Sequence, residues 1–236
     1  IQGYAAIALS YGRCHGRLRE KKMKSVLLIG VGRFGRHMAK KLVELHNEVM
    51  AVDIDEQRIN QVLDVVTNAQ IGDCTREEFV ASLGVRNFDI CVVAIGDDFE
   101  ASLISTALLK ENGAKFVLAR ASQDAQAKFL LHNGADKVVY PEKQVAQWSA
   151  VRYSSDNIFD FIELTPTHSL YEINIPVSWI GKTIRELKVR QEHNLNIVAI
   201  RQDNDLLPAP GPDYEFASGD IILVVGANTD IQKILQ

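Results

Sequence analysis

Three closely spaced glycines follow an apolar run near the start of the chain and restrict the folds open to it. Residues 26–29 are four consecutive apolar residues, which is typical of a strand buried on both faces. Gly30, Gly32 and Gly35 come next, and apolar residues at helical spacing follow them. The pattern predicts a βαβ unit, in which the glycines allow a tight turn, close approach of a pyrophosphate and close packing of helix on strand.

A second apolar strand ends at Asp53, 18 residues beyond Gly35. A carboxylate at this position can accept hydrogen bonds from ribose hydroxyls, and its charge disfavours the 2′-phosphate of NADP. The N-terminus of the helix after the glycines offers unpaired N–H groups to a phosphate. The alternative is a surface turn that contains three glycines by chance.

Strands and helices continue to alternate as far as Tyr140, which predicts right-handed crossovers and a parallel, Rossmann-like sheet of α/β class. Asp55 and Thr75 are predicted to cap the second and third helices, and Asp97 and Asp98 to cap the fourth. The predicted strands are residues 26–29, 49–53, 65–71, 90–95, 116–119 and 137–140, and the predicted helices are 33–45, 55–63, 75–83, 99–111 and 124–132. Several polar residues and glycines therefore fall at the carboxyl ends of strands, on the ligand side of such a sheet: Gly30, Asp53, Asp73, Gly96 and Arg120.

The periodicity changes after Tyr140 and predicts a small α+β domain. A helix is predicted for residues 141–153, followed by a polar break at 154–157. The further strands are predicted at 159–164, 169–175, 195–201 and 221–225, with a helix at 183–190, a proline-rich loop at 208–212 and a turn at 218–220. The predicted organisation is a leader (1–22), a Rossmann-like nucleotide-binding domain (23–140), a crossover helix and linker (141–157) and a C-terminal ligand-binding domain (158–236).

The composition excludes several classes of protein. A net charge of −4 provides no basic field for nucleic acid, and no stretch approaches 18 uncharged apolar residues, so no membrane span is predicted. Three cysteines, Cys14, Cys74 and Cys91, suggest reduced thiols and not a disulfide framework. Residues 1–22 are interpreted as upstream sequence, with Met23 as the natural start, and the alternative is the remnant of a preceding channel segment.

The residues needed for catalysis are missing from the predicted cleft. No histidine lies at a strand end that faces this cleft, no Cys/His spacing suggests zinc, and there is no phosphate-binding G-x-x-x-x-G-K-[ST] loop. This favours a sensor over an enzyme and predicts no catalytic residue and no metal site. An NAD-dependent oxidoreductase with an unrecognised substrate domain remains the alternative.

Several motifs together resemble regulator-of-potassium-conductance (RCK) proteins of the Trk/Ktr type. They are G-V-G-R-F-G at 30–35, V-D-I-D at 52–55, G-D-C-T at 72–75, G-A-D at 134–136 with P-E at 141–142, W-I-G-K-T-I at 179–184, 187–190 and the turn at 218–220. The resemblance implies a cytoplasmic, peripheral subunit that binds an adenine nucleotide (ATP, ADP or NAD) beneath a membrane potassium-translocating subunit. It implies dimers formed through residues 141–153 and octameric rings. The cytoplasmic tail of a ligand-gated potassium channel is a further alternative.

The glycine motif and the resemblance together predict the nucleotide site. Arg33 is expected at a phosphate, Asp73 and Thr75 beside the adenine, and Arg120 is either a phosphate ligand or an ordinary strand-end residue. Asp55 and Arg58 either contribute near the adenosine or are surface charges. The full predicted set is Gly30, Val31, Gly32, Arg33, Phe34, Gly35, Asp53, Asp55, Arg58, Asp73, Cys74, Thr75, Ile95, Gly96 and Arg120.

The resemblance bears on two further sites that some relatives have. Some relatives hold a divalent cation with a glutamate, but the matching position is Leu131, so no metal is predicted. Some Ktr-type relatives bind cyclic di-AMP between C-terminal domains, and the matching residues are Ile184, Arg190, Asn196 and Pro212. The competing interpretation gives Ile184 to the core, Arg190 to a helix C-terminus and Pro212 to an ordinary loop.

Overall fold

The structure, a computed structural model, describes residues 23–235, so the predicted leader lies outside it. The chain divides into two compact units, one ending at Pro141 and the other beginning at Glu142. None of the helices within residues 23–235 combines the length and apolar character needed to cross a bilayer.

The first unit is a six-stranded parallel sheet with the strand order β3-β2-β1-β4-β5-β6, and helices connect its strands. This confirms the predicted α/β, Rossmann-like class. The strands are β1 (Ser25–Ile29), β2 (Glu48–Asp53), β3 (Asn68–Ile71), β4 (Ile90–Val93), β5 (Val117–Arg120) and β6 (Lys137–Val139). The helices are α1 (Arg33–Glu44), α2 (Glu56–Asn60), α3 (Glu77–Ser82), α4 (Phe99–Glu111) and α5 (Asp124–His132).

Strand β1 lies at the centre of this sheet and is buried on both faces. Leu27 and Ile29 pack into the core on one side, while Val26 and Leu28 pack into the core on the other. Successive side chains of a strand point to opposite faces, so an unbroken apolar run is what a central parallel strand requires. The central position of β1 places the glycine turn in the middle of the carboxyl edge of the sheet.

The second unit contains a five-stranded antiparallel sheet with the order β10-β9-β11-β8-β7, accompanied by short helices. This confirms the predicted small α+β domain. Its core is built around Ile173, Ile200, Phe216 and Ile222. The helices are α6 (Pro141–Arg152), α7 (Ile184–Leu187), α8 (Val189–His193) and α9 (Asn228–Leu235). The strands are β7 (Ile158–Thr165), β8 (His168–Asn174), β9 (Asn196–Gln202), β10 (Asp205–Pro208) and β11 (Ile221–Ala227).

Two strand boundaries in the first unit differ from the prediction by more than one residue. Strand β3 begins at Asn68 and not at residue 65, because the N–H groups of Val65 and Val66 bond to the carbonyl of Val62 in a turn. Strand β4 ends at Val93 and not at residue 95, because its partner there, Ile29, is the last residue of β1.

Of the caps predicted for the two short helices α2 and α3, one is confirmed and one is wrong. Asp55 caps α2 as predicted, accepting from the N–H of Gln57, but this helix ends at Asn60 and not at residue 63. Thr75 does not cap α3, whose N-cap is Arg76. The Thr75 hydroxyl is bonded to the Asp73 carboxylate, so it is not available to the helix.

Three features of the second unit also depart from the sequence prediction. The helix expected at 183–190 is two helices, α7 and α8, separated by Lys188 in the left-handed conformation with φ 45°. Strand β10 and helix α9 were not predicted. Pro208 was assigned to a loop but ends β10, which is compatible with proline because β10 is an edge strand.

Candidate functional site

The glycine turn between β1 and α1 has the backbone geometry that the sequence pattern predicts. Gly30 has φ +92°, a left-handed conformation that glycine adopts without strain, and a Cβ there would lie 3.1 Å from the carbonyl carbon of Ala94. A Cβ on Gly35 would collide with the carbonyl oxygen of Gly30. Both glycines are therefore required for the turn and for close packing of α1.

Gly32 differs from these two glycines, because a Cβ there would meet no protein atom within 4 Å. It is the N-cap of α1, and no side chain caps the helix at this position. The first N–H groups of a helix have no partner within the helix and favour an anion. The open space beside Gly32 can therefore hold the phosphates of a ligand.

Asp53 ends β2 and is tied to the glycine turn. Its side chain is 3% exposed. Oδ2 accepts a hydrogen bond of 2.6 Å from the N–H of Val31, and Oδ1 accepts one of 2.9 Å from the N–H of Asp55. Because an ionised carboxylate offers about four acceptor positions, Asp53 retains capacity for ribose hydroxyls.

Arg58 of α2 lies beside two carboxylates at this end of the cleft. Its Nη1 is 3.8 Å from Asp53 Oδ2, and its Nε is 3.5 Å from Asp55 Oδ2. Arg58 and Asp55 are about half exposed, whereas Asp53 is buried. The three charges therefore run from the base of the predicted ribose site to its rim.

Arg120, at the end of β5, lies across the start of α1. Its guanidinium carbon is 5.7 Å from the centre of the Phe34 ring, within the range of a cation–π contact. A Cβ on Gly96 would collide with the same guanidinium, and one on Gly30 would lie 3.1 Å from Ile95. Five residues of the predicted set are thus brought together where β1, β4 and β5 end.

The loop at Asp73, Cys74 and Thr75 follows β3. Hydrogen bonds from the Thr75 hydroxyl (2.7 Å) and N–H (2.9 Å) hold the pKa of the Asp73 carboxyl below its ordinary value. Cys74 is buried in the core, and burial, with the carboxylates of Asp73 and Asp53, raises the pKa of its thiol to about 12. Its side chain therefore belongs to the protein interior and only its backbone can face a ligand.

One supporting contact was not predicted from the sequence. The buried hydroxyl of Ser105, on α4, donates to the carbonyl of Cys74 over 3.1 Å and holds the Asp73 loop. Ser102, Ser105 and Thr106 occupy the buried face of α4, where apolar residues are usual. Polar residues at helical spacing on that face were the signal that could have revealed this contact.

Arg33 and Arg36 share the first turns of α1 but differ in surroundings. Arg33 is exposed beside the open space at Gly32. Arg36, which was not in the predicted set, donates to the side chain of Gln61. Arg33 is therefore accessible to a phosphate, whereas Arg36 connects α1 to the segment after α2.

A surface cleft of about 350 Å³ lies in the second unit, between α7, α8, β9 and the proline-rich loop. All four residues predicted to bind a second ligand line it, and Arg190 Nε donates to Asn196 Oδ1 over 2.9 Å. Arg185 and Lys188 add positive charge to the lining. The remaining lining residues are Val189, Gln191, Leu195, Ile197 and Pro210.

Within residues 23–235, no group of three or more His, Cys, Asp or Glu side chains is arranged to hold a metal ion. Leu131 is 49% exposed on α5.

The fold and the glycine turn define a class of protein: a Rossmann-like domain with a dinucleotide-type turn, followed by a small antiparallel domain. The TrkA-N domain family matches residues 26–141, and the TrkA-C domain family matches residues 170–236. The chain belongs to the TrkA/KtrA family of RCK proteins.

Two of the similar proteins match nearly all of the chain. It is 39% identical over 210 residues to Ktr system potassium uptake protein C of Bacillus subtilis, covering 89% of this chain and 95% of that protein. It is 33% identical over 218 residues to Ktr system potassium uptake protein A of the same organism, covering 92% and 97%.

Solved structures with the same fold are more distant in sequence. The GsuK RCK domain aligns with a TM-score of 0.64 at 14% identity, and the GsuK channel bound to NAD with 0.65 at 14%. The alignments cover 92% and 93% of this chain but only 49% and 40% of those chains. At this identity they establish the shared fold.

Proposed function

We propose that this chain is the nucleotide-binding regulatory subunit of a Trk/Ktr-type potassium uptake system and is not an enzyme. The match to Ktr system potassium uptake protein C over 95% of its length supports the role. The observation that carries nucleotide binding is the open space at Gly32, at the N-terminus of α1 and in the middle of the sheet edge. Parallel sheets bind ligands at this edge.

The nucleotide is an adenine nucleotide, ATP, ADP or NAD, whose pyrophosphate lies beside Gly32. Its ribose hydroxyls donate to Asp53, and the charge of that carboxylate opposes a 2′-phosphate, so NADP is excluded. The GsuK channel, which shares the fold, has been solved with NAD bound. Arg33 and Arg120 contact phosphate, and the base lies against the loop of Asp73 and Thr75.

The regulatory step is a change of shape transmitted to a membrane partner. Subunits pair through the helix α6 region, four pairs form an octameric ring, and the ring contacts a potassium-translocating subunit at the inner face of the cell membrane. A nucleotide can shift such a ring only if it binds the two shapes with unequal affinity. Exchange of one nucleotide for another then changes the activity of the partner.

A second ligand, cyclic di-AMP, binds the cleft of the C-terminal unit. Ile184 and Pro212 would pack against its bases, Arg190 would pair with a phosphate, and Asn196 would hydrogen-bond a base edge. The common location of these four residues in one basic cleft supports the proposal. Arg190 and Asn196 are bonded to each other, so a ligand that pairs with both side chains replaces that contact with its own.

A thermal-shift screen of the purified chain against ATP, ADP, NAD, NADH and NADP tests the nucleotide assignment. A ligand of micromolar Kd at millimolar concentration should stabilise the fold by about 4 kcal/mol, because binding adds RT ln(1 + [L]/Kd). We expect a shift with at least one of ATP, ADP and NAD and none with NADP. Turnover of NADH with any substrate would contradict the regulatory role and support an oxidoreductase.

A further inference from the structure

At the ribose end of the cleft, two carboxylates lie beside one arginine. Binding of the ribose by Asp53 alone does not explain this arrangement. Asp53 and Asp55 both face one cation, Arg58, at 3.8 Å and 3.5 Å. Both Asp53 oxygens already accept main-chain N–H groups, from Val31 and Asp55. Arg58 is therefore not needed to satisfy the buried carboxylate, and its position at the rim requires another explanation.

The charges at this end sum to one negative charge when all three side chains are ionised. This net negative charge would repel a 2′-phosphate that enters the ribose end. The Arg58 guanidinium, which is able to bind a phosphate, nevertheless lies beside the two carboxylates. Arginine binds phosphate with two parallel hydrogen bonds, and Arg58 is 52% exposed, so its guanidinium has room to turn towards a ligand. Its contacts with the carboxylates oppose that rotation.

We propose that Arg58 is a specificity-determining residue of the nucleotide site. Asp55 holds the Arg58 guanidinium against the ribose edge, and this restraint keeps the site selective for ribose without a 2′-phosphate. Release of Arg58 from Asp55 converts it into a phosphate ligand. The inference rests on the proposed function, because it concerns the ribose end of the same nucleotide site.

Asp55 is the informative position for a test, because Asp53 also holds the glycine turn. Asp55 caps α2 by accepting from the N–H of Gln57 over 2.8 Å. Asparagine caps helices about as well as aspartate, so Asp55→Asn removes the charge and keeps the cap. The variant leaves Arg58 with only its longer contact to Asp53.

The experiment is calorimetric titration of the full chain with AMP and with adenosine 2′,5′-bisphosphate, which differ only in the 2′-phosphate, after ADP binding has been measured as a reference. Wild type should prefer AMP. In Asp55→Asn the preference should narrow by about tenfold, the size expected for one nearby charge at a partly exposed site. Adding Arg58→Gln to Asp55→Asn should restore the wild-type preference.

Glu56→Gln provides a matched control, because it removes a neighbouring exposed acid from the first turn of α2. Its preference should stay within about twofold of wild type. Provided that ADP still binds, any of three results would overturn the inference. The preference for AMP could be unchanged in Asp55→Asn, or it could narrow equally in Glu56→Gln. The improved binding of the bisphosphate in Asp55→Asn could also persist after Arg58→Gln is added. If wild type binds no adenine nucleotide, the proposed function fails and the inference fails with it.

Discussion

The N–H of Val31 donates to Asp53 Oδ2 over 2.6 Å and joins the glycine turn to the end of the second strand. The residues are 22 positions apart in the chain, and the carboxylate is almost fully buried. A charged acceptor makes this a strong hydrogen bond. Asp53 therefore shapes the glycine turn, and in the proposed nucleotide site the same carboxylate also receives the ribose.

Asp53→Ala should weaken adenine-nucleotide binding by roughly 1–3 kcal/mol, because it removes charge-assisted bonds to ribose and releases the turn. Isothermal titration calorimetry with ADP measures the loss. Asp64→Ala, which removes an exposed acid of the same unit, is the control and should bind as wild type does. Unchanged affinity for ADP in Asp53→Ala would show that Asp53 does not contribute to nucleotide binding.

Gly32→Val should abolish nucleotide binding and leave the fold intact. The backbone at Gly32 has φ −67°, which valine adopts readily, and the new side chain would fill the open space that the pyrophosphate needs. Circular dichroism and ATP titration of the same sample separate the two effects. A folded variant that binds ATP normally would show that the glycine turn is not the phosphate site.

Gly35→Ala is the contrasting variant at the same turn. Its Cβ would collide with the carbonyl oxygen of Gly30, so either α1 or the turn must move. We expect a loss of about 1–3 kcal/mol in the free energy of unfolding, measured by urea denaturation, as for overpacking in a core. Stability equal to wild type would show that α1 does not depend on this close approach.

Thr75→Val should raise the pKa of Asp73 towards its ordinary value, because it removes the larger of the two hydrogen bonds that lower it. A carboxyl whose folded pKa is lowered adds stability above its unfolded pKa and loses it as pH falls through the folded pKa. The melting temperature of the variant should therefore fall less steeply than wild type between about pH 5 and pH 2. An NMR titration of Asp73 that is identical in the two proteins would contradict this.

Tyr214→Phe should destabilise the C-terminal unit by roughly 1–3 kcal/mol, because it removes one of the donors to a buried carboxylate. Asp220 is 1% exposed and accepts from the Tyr214 hydroxyl, Gln202 Nε2 and the N–H of Ala217, each at 2.9 Å. Urea denaturation followed by fluorescence gives the difference. Tyr153→Phe, at a position 75% exposed, is the control, and an equal loss there would show that the Asp220 contact is not the cause.

Cyclic di-AMP should bind the full chain when ADP already saturates the first unit, and Arg190→Ala should abolish the binding. Saturation with ADP prevents cyclic di-AMP from binding at the glycine turn. Lys233→Ala, which removes an exposed cation on α9, should leave the titration unchanged. Absence of heat up to high micromolar cyclic di-AMP would exclude this ligand from the cleft.

Local patterns were sufficient for the parallel sheet, because its central strands β1, β2 and β4 are largely apolar runs bounded by turn residues. They failed where the decisive partner was distant. The end of β4 depends on where β1 stops, which no residue near Ile95 reveals. One failure was local: Thr75 is a suitable cap by type, but its hydroxyl donates to Asp73, two residues earlier. Strand β10 exists because it pairs with β9, although proline and charged residues at 203–208 suggest a loop.

The sequence by itself determined the class of fold and the position of the glycine turn, because these depend on periodicity and on residues that only one backbone geometry accommodates. That Asp53 is the ribose acid stays a prediction. The tertiary structure alone decided that Asp53 is bonded to the turn, that Arg58 lies between two carboxylates and that the four C-terminal residues share one cleft. These relationships join segments that are brought together by strand order and helix packing. Hydrogen-bond and ion-pair partners follow from that geometry, which no local pattern encodes.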